Sequence, residues 1–199
     1  MKEFRVLTVI AVVVVVVLIS SSFYFLSSER NRSNYVGGYL SESQLDKINI
    51  TSPGVNISKS TSTIFVNTSA NLPVFMGPMN SGSMYSFEIL GVINPKIIVS
   101  EGATIHFVIV NVDTDSEHNF VLTTISPPYS YMIGEGMMGS SRGGFMTTMD
   151  FLPPVHSNRY AFENVSYNFS SSGTFWYVCT YPGHAQKGMF GEISVVKQA

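Results

Sequence analysis

Apolar and polar positions divide this chain into three regimes. Val6 to Leu26 carries no charged side chain and is centred on the valine run Val12 to Val17. A helix needs about 20 apolar residues to cross a bilayer, and this run supplies them. Lys2 and Arg5 precede it and Arg30 and Arg32 follow it, so the basic residues are nearly balanced and do not orient the segment. A cleaved signal peptide is the competing reading. No Ala-x-Ala site is present, although Ser20, Ser21 and Ser22 offer small residues, and the apolar run exceeds most signal cores. We read residues 1–27 as a retained transmembrane anchor (or signal peptide) and 28–34 as a polar tether. Residues 35–199 then form the folded domain, including an N-terminal extension.

Within the third regime, Ser41 to Ile48 has the marks of a short helix. Ser41 is a capping residue, and Glu42 and Gln44 fall in the first turn. From Thr61 onward the period shortens to two. Ile64 and Val66 alternate with their neighbours, Pro73 and Gly77-Pro78 break the run, and Tyr85 to Val92 and Lys96 to Val99 read as strands. Glu101-Gly102 is a turn. Thr104 to Val110 is rich in β-branched and aromatic residues, and Asp113 to Glu117 is an acidic loop. His118 to Leu122 resumes the strand until Pro127-Pro128. Pro153-Pro154 marks another break. Arg159 to Phe162, Thr174 to Cys179 and Glu192 to Val196 are the last strands. Short strands, frequent turns and almost no helical period predict an all-β sandwich.

Charge narrows the function. Only 12% of the 199 residues are charged and the net charge is −2, so no basic surface argues for nucleic acid. One cysteine excludes an internal disulfide and any metal site built from several thiolates, and four histidines are too few for a multicopper oxidase. Six Asn-x-Ser/Thr sites, at Asn31, Asn49, Asn56, Asn67, Asn164 and Asn168, follow the apolar segment. Each alone is chance, but together they tilt the reading toward a glycosylated, extracytoplasmic domain.

The chemistry concentrates between Phe175 and Gly191. An aromatic strand runs into Cys179. Pro182-Gly183 then turns the chain back to His184, and Met189 follows between Gly188 and Gly191. A thiolate, an imidazole and a thioether are soft or borderline ligands that suit copper rather than calcium or magnesium. A buried free cysteine with an unrelated histidine is the plainer alternative. It leaves the fixed Cys-x4-His-x4-Met spacing unexplained. A blue copper centre needs one more histidine. His106 sits mid-strand between Ile105 and Phe107 and reads as a surface strand residue. His156 follows Pro153-Pro154 in a loop. His118 lies where the acidic loop meets a strand, and Asn119 after it offers an amide to brace the thiolate segment. The ligand set is therefore His118, Cys179, His184 and Met189, holding one copper ion that cycles between Cu(I) and Cu(II).

These residues resemble a family. Gly102-Ala103-Thr104 with Phe107, Asn111 and His118, and Tyr177-Val178-Cys179 through Pro182-Gly183-His184 to Gly188-Met189-Phe190-Gly191, are similar to the two ligand regions of the cupredoxins. The likeness is to the sulfocyanin and rusticyanin group. The apolar N-terminal run, Asn119 and the density of Asn-x-Ser/Thr sites lean toward the sulfocyanins. The resemblance implies a Greek-key β-sandwich with an N-terminal extension and a monomeric electron carrier, not an enzyme. It also implies a place in an acidophile's respiratory chain, anchored in the cell membrane by a single pass and facing outward. Such a carrier passes electrons toward a terminal oxidase or cytochrome, or takes them from iron oxidation.

Met132, Met137, Met138, Met146 and Met149 crowd a glycine-rich loop, Gly134 to Gly144. They are read first as a flexible flap whose methionines pack over the core or the copper. The alternatives are an adaptable docking face, or a Cu(I) loading site of a storage or delivery protein, because thioethers are soft and adaptable. A thiol enzyme built on Cys179 and His184 is a third class.

Overall fold

Alternate burial along the strands decides the architecture. The computed structural model describes residues 37–77, 82–133, 144–147 and 149–197. All lie in one unit, Tyr35–Ala199. The elements are β1 (Gly37–Ser41), α1 (Glu42–Ile48), β2 (Val55–Ser58), β3 (Thr63–Val66), β4 (Ala70–Met76), β5 (Phe87–Ile89) and β6 (Val92–Ile93). They continue as β7 (Lys96–Ser100), β8 (Thr104–Asn111), β9 (Val121–Thr123), β10 (Arg159–Asn168), β11 (Gly173–Val178) and β12 (Phe190–Val196). One sheet runs β1-β10-β8-β4-β5-β6 and the other β2-β3-β7-β12-β11-β9. Pairing is mixed: β4 with β8, β3 with β7 and β7 with β12 are parallel.

Ile105, Phe107 and Ile109 on β8 are fully buried, whereas His106 between them is exposed. Ile97 and Val99 on β7, Ile193 and Val195 on β12, and Tyr177 on β11 face them from the second sheet and complete the core. Phe120 lies at its centre, stacked on Tyr177 at 5.3 Å and tilted against Phe107 at 4.9 Å. The all-β sandwich expected from the sequence is thus observed. Helix α1 covers the outer face of the first sheet, where Leu45 joins Phe75, Val110 and Val112 in a separate small core. Its start is capped as the sequence predicted, with Gln44 Oε1 accepting from the Ser41 N–H at 2.8 Å.

Several elements differ from the sequence reading. Tyr85 to Val92 is not one strand. Leu90 and Gly91 both take positive φ (50° and 74°) and fold it into the hairpin β5-β6. Pro73 does not break β4 but lies inside it. There β5 pairs only Val74, Phe75 and Met76, so β4 is an edge on that side and a residue without N–H is tolerated. Strand β10 extends to Asn168 because β8 offers a partner along its whole length. His118 to Phe120 precede β9 instead of forming it, with His118 held by an isolated bridge to Leu152. Strands β1 and β2 carry too weak a pattern to be read alone. Among the described residues no helix is long and apolar enough to cross a membrane. The expected anchor, the tether, Asn31, and Met137 and Met138 lie outside the described residues.

Candidate metal centre

Strand period places the sulfur. Tyr177 and Cys179 fall on the inward face of β11, and Cys179 lies one residue past the strand end with no exposed surface. The loop after it closes on itself. The Cys179 N–H donates to Met189 O at 3.2 Å, the Met189 N–H to His184 O at 3.0 Å, and the His184 N–H to Tyr181 O at 3.0 Å. Asn94 anchors the loop from the other sheet, its Nδ2 donating to Gly188 O at 3.1 Å and its Oδ1 accepting from the Phe87 N–H at 2.8 Å. Gly191 is required by close approach, because a Cβ there would overlap the Tyr177 ring, whose hydroxyl donates to Pro95 O at 2.7 Å.

His118, Cys179 and His184 are brought together and all three are buried. The sulfur lies 3.8 Å from His118 Nδ1 and 3.7 Å from His184 Nδ1, and the two nitrogens are 3.1 Å apart. The point equidistant from these three atoms is roughly 2.1 Å from each, a first-row metal–nitrogen bonding distance. Two imidazoles and a thiolate in a trigonal array are the donor set of blue copper, so the residues present fit that ion. Met189 is fully buried at the end of the same loop.

The electrostatics suit a metal and oppose a reactive thiol. Burial pushes the Cys179 thiol up to about 11, against the opposing hydrogen bonds from the Asn119 and Tyr181 backbone N–H groups. Burial also brings His184 down to about 4, reinforced by the neighbouring His118 ring, which disfavours a second protonated imidazole beside it, and by the Lys187 ammonium, so its imidazole is neutral and free to ligate. His118 is lowered by burial despite the nearby Asp113 carboxylate. A metal would displace the thiol proton on binding. His184 shows only 5% of its surface, with Tyr181 at 4.5 Å and Tyr85 at 5.2 Å packed on its ring.

Two residues brace the ligands. Asn119 binds the segment after Cys179, as its position beside His118 suggested. Its Oδ1 accepts from the Thr180 N–H and its Nδ2 donates to Thr180 Oγ1, both at 2.8 Å. In the sequence Asp113 is distinguished only as part of an acidic loop. It is 5% exposed, and its Oδ2 accepts from His118 Nε2 at 3.0 Å. Burial would raise the Asp113 carboxyl, but the hydrogen bonds from His118 and from the Asp115 and Ser116 N–H groups hold it below the ordinary value. Spacing alone does not separate Asp113 from Asp115 and Glu117, because only the fold turns one of them inward. His106 and His156 are exposed and outside the cluster, His106 bonding Ser166 Oγ at 2.7 Å.

Residues 81–196 match the model of copper binding proteins of the plastocyanin/azurin family. The chain belongs to that family, the cupredoxins. Rusticyanins of Acidithiobacillus ferrooxidans and Acidithiobacillus ferridurans are each 30% identical to it over 142 residues, covering 71% of this chain and 68% of each relative. These relatives place it in the sulfocyanin and rusticyanin group of cupredoxins. A solved rusticyanin from Thiobacillus ferrooxidans shares the fold with a TM-score of 0.70 at 23% identity, over 82% of this chain and 99% of that one. A reduced rusticyanin superposes with a TM-score of 0.67 at 24% identity, over 79% and 98%. This cupredoxin is a copper-binding electron-transfer protein with His118, Cys179 and His184 at its centre.

Proposed function

We propose that this cupredoxin is a one-electron carrier anchored in the cell membrane, with its copper domain on the extracytoplasmic face. Met189, buried at the end of the loop that carries Cys179 and His184, would hold its single copper as a weak fourth donor. One observation carries the reading of a carrier: the two Nδ1 atoms and the sulfur stand at ligating separation in a buried site. Copper held there supplies reversible one-electron exchange. Side chains held by packing and by hydrogen bonds to their loop, as these are, need little rearrangement when the charge of a bound metal changes. With Met189 as the fourth donor beside His118, Cys179 and His184, the centre would leave no open position for a substrate, unlike a catalytic metal site. The protein therefore acts through electron transfer and not as an enzyme. Met149 is buried in the core and Met146 packs against it, which supports a packing role for these two methionines over copper storage.

The anchor rests on the charge-free run Val6 to Leu26. The same run and Asn119 support the sulfocyanin side of the group, and the Asn-x-Ser/Thr sites support an outward, glycosylated domain. The respiratory role, with electrons passing toward a terminal oxidase or cytochrome or arriving from iron oxidation, rests on the resemblance of the two ligand regions to the sulfocyanin and rusticyanin group. The working form is a monomer. Copper titration with visible and EPR spectroscopy tests the centre: one Cu(II) per chain and an intense blue or green band are expected. A colourless holoprotein, or several copper ions per chain, overturns it. Membrane fractionation of the native protein tests the anchor, and release by a high-salt wash counts against it.

A further inference from the structure

We infer that Asp113 is a positioning residue for the metal centre, its carboxylate fixing His118 in the tautomer that presents a free Nδ1. This rests on the copper reading of the site. The two oxygens have separate tasks. Oδ2 accepts from His118 Nε2 at 3.0 Å. Oδ1 accepts from the Asp115 N–H at 2.8 Å and the Ser116 N–H at 3.2 Å. The two backbone partners are fixed donors, and an ionised carboxylate can only accept from the ring nitrogen that faces it. The ring proton must then sit on Nε2, which leaves the Nδ1 lone pair pointing at Cys179 and His184.

The carboxylate cannot drift from this position. The Asp113 N–H donates to Asn111 Oδ1 at 3.0 Å, and the Asp113 carbonyl accepts from the Val155 N–H at 2.8 Å. Asn111 in turn donates from Nδ2 to Ser116 O and Leu152 O, each at 2.9 Å, and to Pro153 O at 3.1 Å. On the far side Gly77 leaves the space that Asp113 fills, since a Cβ at Gly77 would overlap the Asp113 Cβ. His118 has no exposed surface and Asp113 has 5%, so bulk water is not a substitute partner.

An amide of the same size cannot do both tasks. Asparagine offers one oxygen and one NH2 group. If its oxygen keeps the two backbone N–H groups, its NH2 faces Nε2. The ring is then driven to the other tautomer, with a proton on Nδ1, where it cannot ligate. If the amide flips, the NH2 faces the backbone donors and the turn Asp113–Ser116 is lost. The carboxylate has a second effect through its charge. It lies one imidazole away from the metal without binding it, and a fixed negative charge favours the more highly charged oxidised state. Removing it raises the reduction potential.

The test begins with the metal-free full chain. Nitrogen-15 NMR of the histidine rings near neutral pH is expected to show His118 protonated at Nε2. In Asp113→Asn the Nδ1-protonated form should appear. Cu(II) affinity should fall by about 10–100-fold, the range for removing a group that orients a metal ligand. The potential of the copper-loaded variant should rise. Asp115→Asn is the control, because it is the Asp115 backbone N–H that meets Asp113. Tautomer, affinity and potential should stay as in the parent chain. If Asp113→Asn does not fold, Gly77→Ala serves instead: it displaces Asp113 without removing its charge and should also shift the tautomer and weaken copper. The inference is overturned if the unsubstituted metal-free protein carries the His118 proton on Nδ1. It is equally overturned if the folded Asn or Ala variant keeps the tautomer, affinity and potential of the parent. Should the ring be protonated at Nε2 while no blue copper forms, the copper reading fails and the role of Asp113 stands.

Discussion

Asn119 and Thr180 stand 61 positions apart in sequence and are joined by two hydrogen bonds of 2.8 Å. Each is the residue directly after a ligand, His118 in one case and Cys179 in the other. The pair therefore ties the two halves of the metal centre together at their base. Asn119 also donates to Met149 O at 3.2 Å, which draws the methionine-bearing segment onto the same point. Asn119→Ala removes all of these bonds and strands the Thr180 N–H. The expected cost is about 1–3 kcal/mol of stability. The copper spectrum should change and copper should leave faster in acid. Unchanged spectra and off-rates would reduce Asn119 to a packing residue.

The choice among histidines is tested by colour. Cys179→Ser should abolish the intense visible band, because the thiolate is its source. His106→Ala and His156→Ala should leave it unaltered, since both rings are exposed and outside the cluster. Loss of the band in a folded His156→Ala protein would show that the ligand set was misassigned.

Met189 is the proposed axial ligand. A thioether above the trigonal plane donates weakly and helps the oxidised state more than the reduced one. Met189→Leu keeps the volume, removes the sulfur and should raise the potential while His118, Cys179 and His184 retain the metal. Met189→Gln brings a harder oxygen and should lower it. Voltammetry of the three proteins at one pH decides. An equal or lower potential in the copper-loaded Leu variant would remove Met189 from the ligand set.

Gly191 serves packing and not ligation. Gly191→Ala forces a methyl group into the Tyr177 ring, which is buried and held by its hydroxyl bond to Pro95 O. Overpacking of this kind costs about 1–3 kcal/mol. Thermal unfolding should fall by roughly 2–4 °C for each kcal/mol lost in a chain of this size. A midpoint equal to that of the parent would mean that the ring shifts freely.

Glu163 makes stability depend on pH. Burial raises its carboxyl above the ordinary 4.5, and the nearby Asp150 raises it further. One oxygen, Oε2, is buried with no hydrogen-bond partner among the described residues. In the window above 4.5 the folded state binds more protons than the unfolded one, so this group's contribution to stability falls as pH rises through that window. Glu163→Gln should raise the melting temperature at neutral pH and change little in acid below the window. An equal shift at both pH values would show that the effect is packing and not charge.

The ligand loop was legible in the sequence because it is local. Cys179, His184 and Met189 lie within one turn, and their spacing follows from a strand end, Pro182-Gly183 and Gly188. The strands of the core were legible where both neighbours offered partners, as at Thr104 to Val110, because period-two burial writes itself into residue order. His118 could be chosen from its setting at the end of a polar loop, with Asn119 beside it. Its placement against Cys179 depended on the antiparallel pairing of β9 with β11, which sets Val121 opposite Val178, a relation with no local trace. Pro73 in β4 and the hairpin at Leu90-Gly91 were decided by which strand lay alongside, and β1 by its pairing with β10. The role of Asp113 belongs to the tertiary structure alone. Three acidic residues precede His118, and the sequence gives no reason to prefer one. Burial against Gly77 and the hydrogen bonds of Asn111 turn that one carboxylate toward the ring. The chain's order of residues determined the donors of the metal centre, and packing of distant strands determined which charge stands behind them.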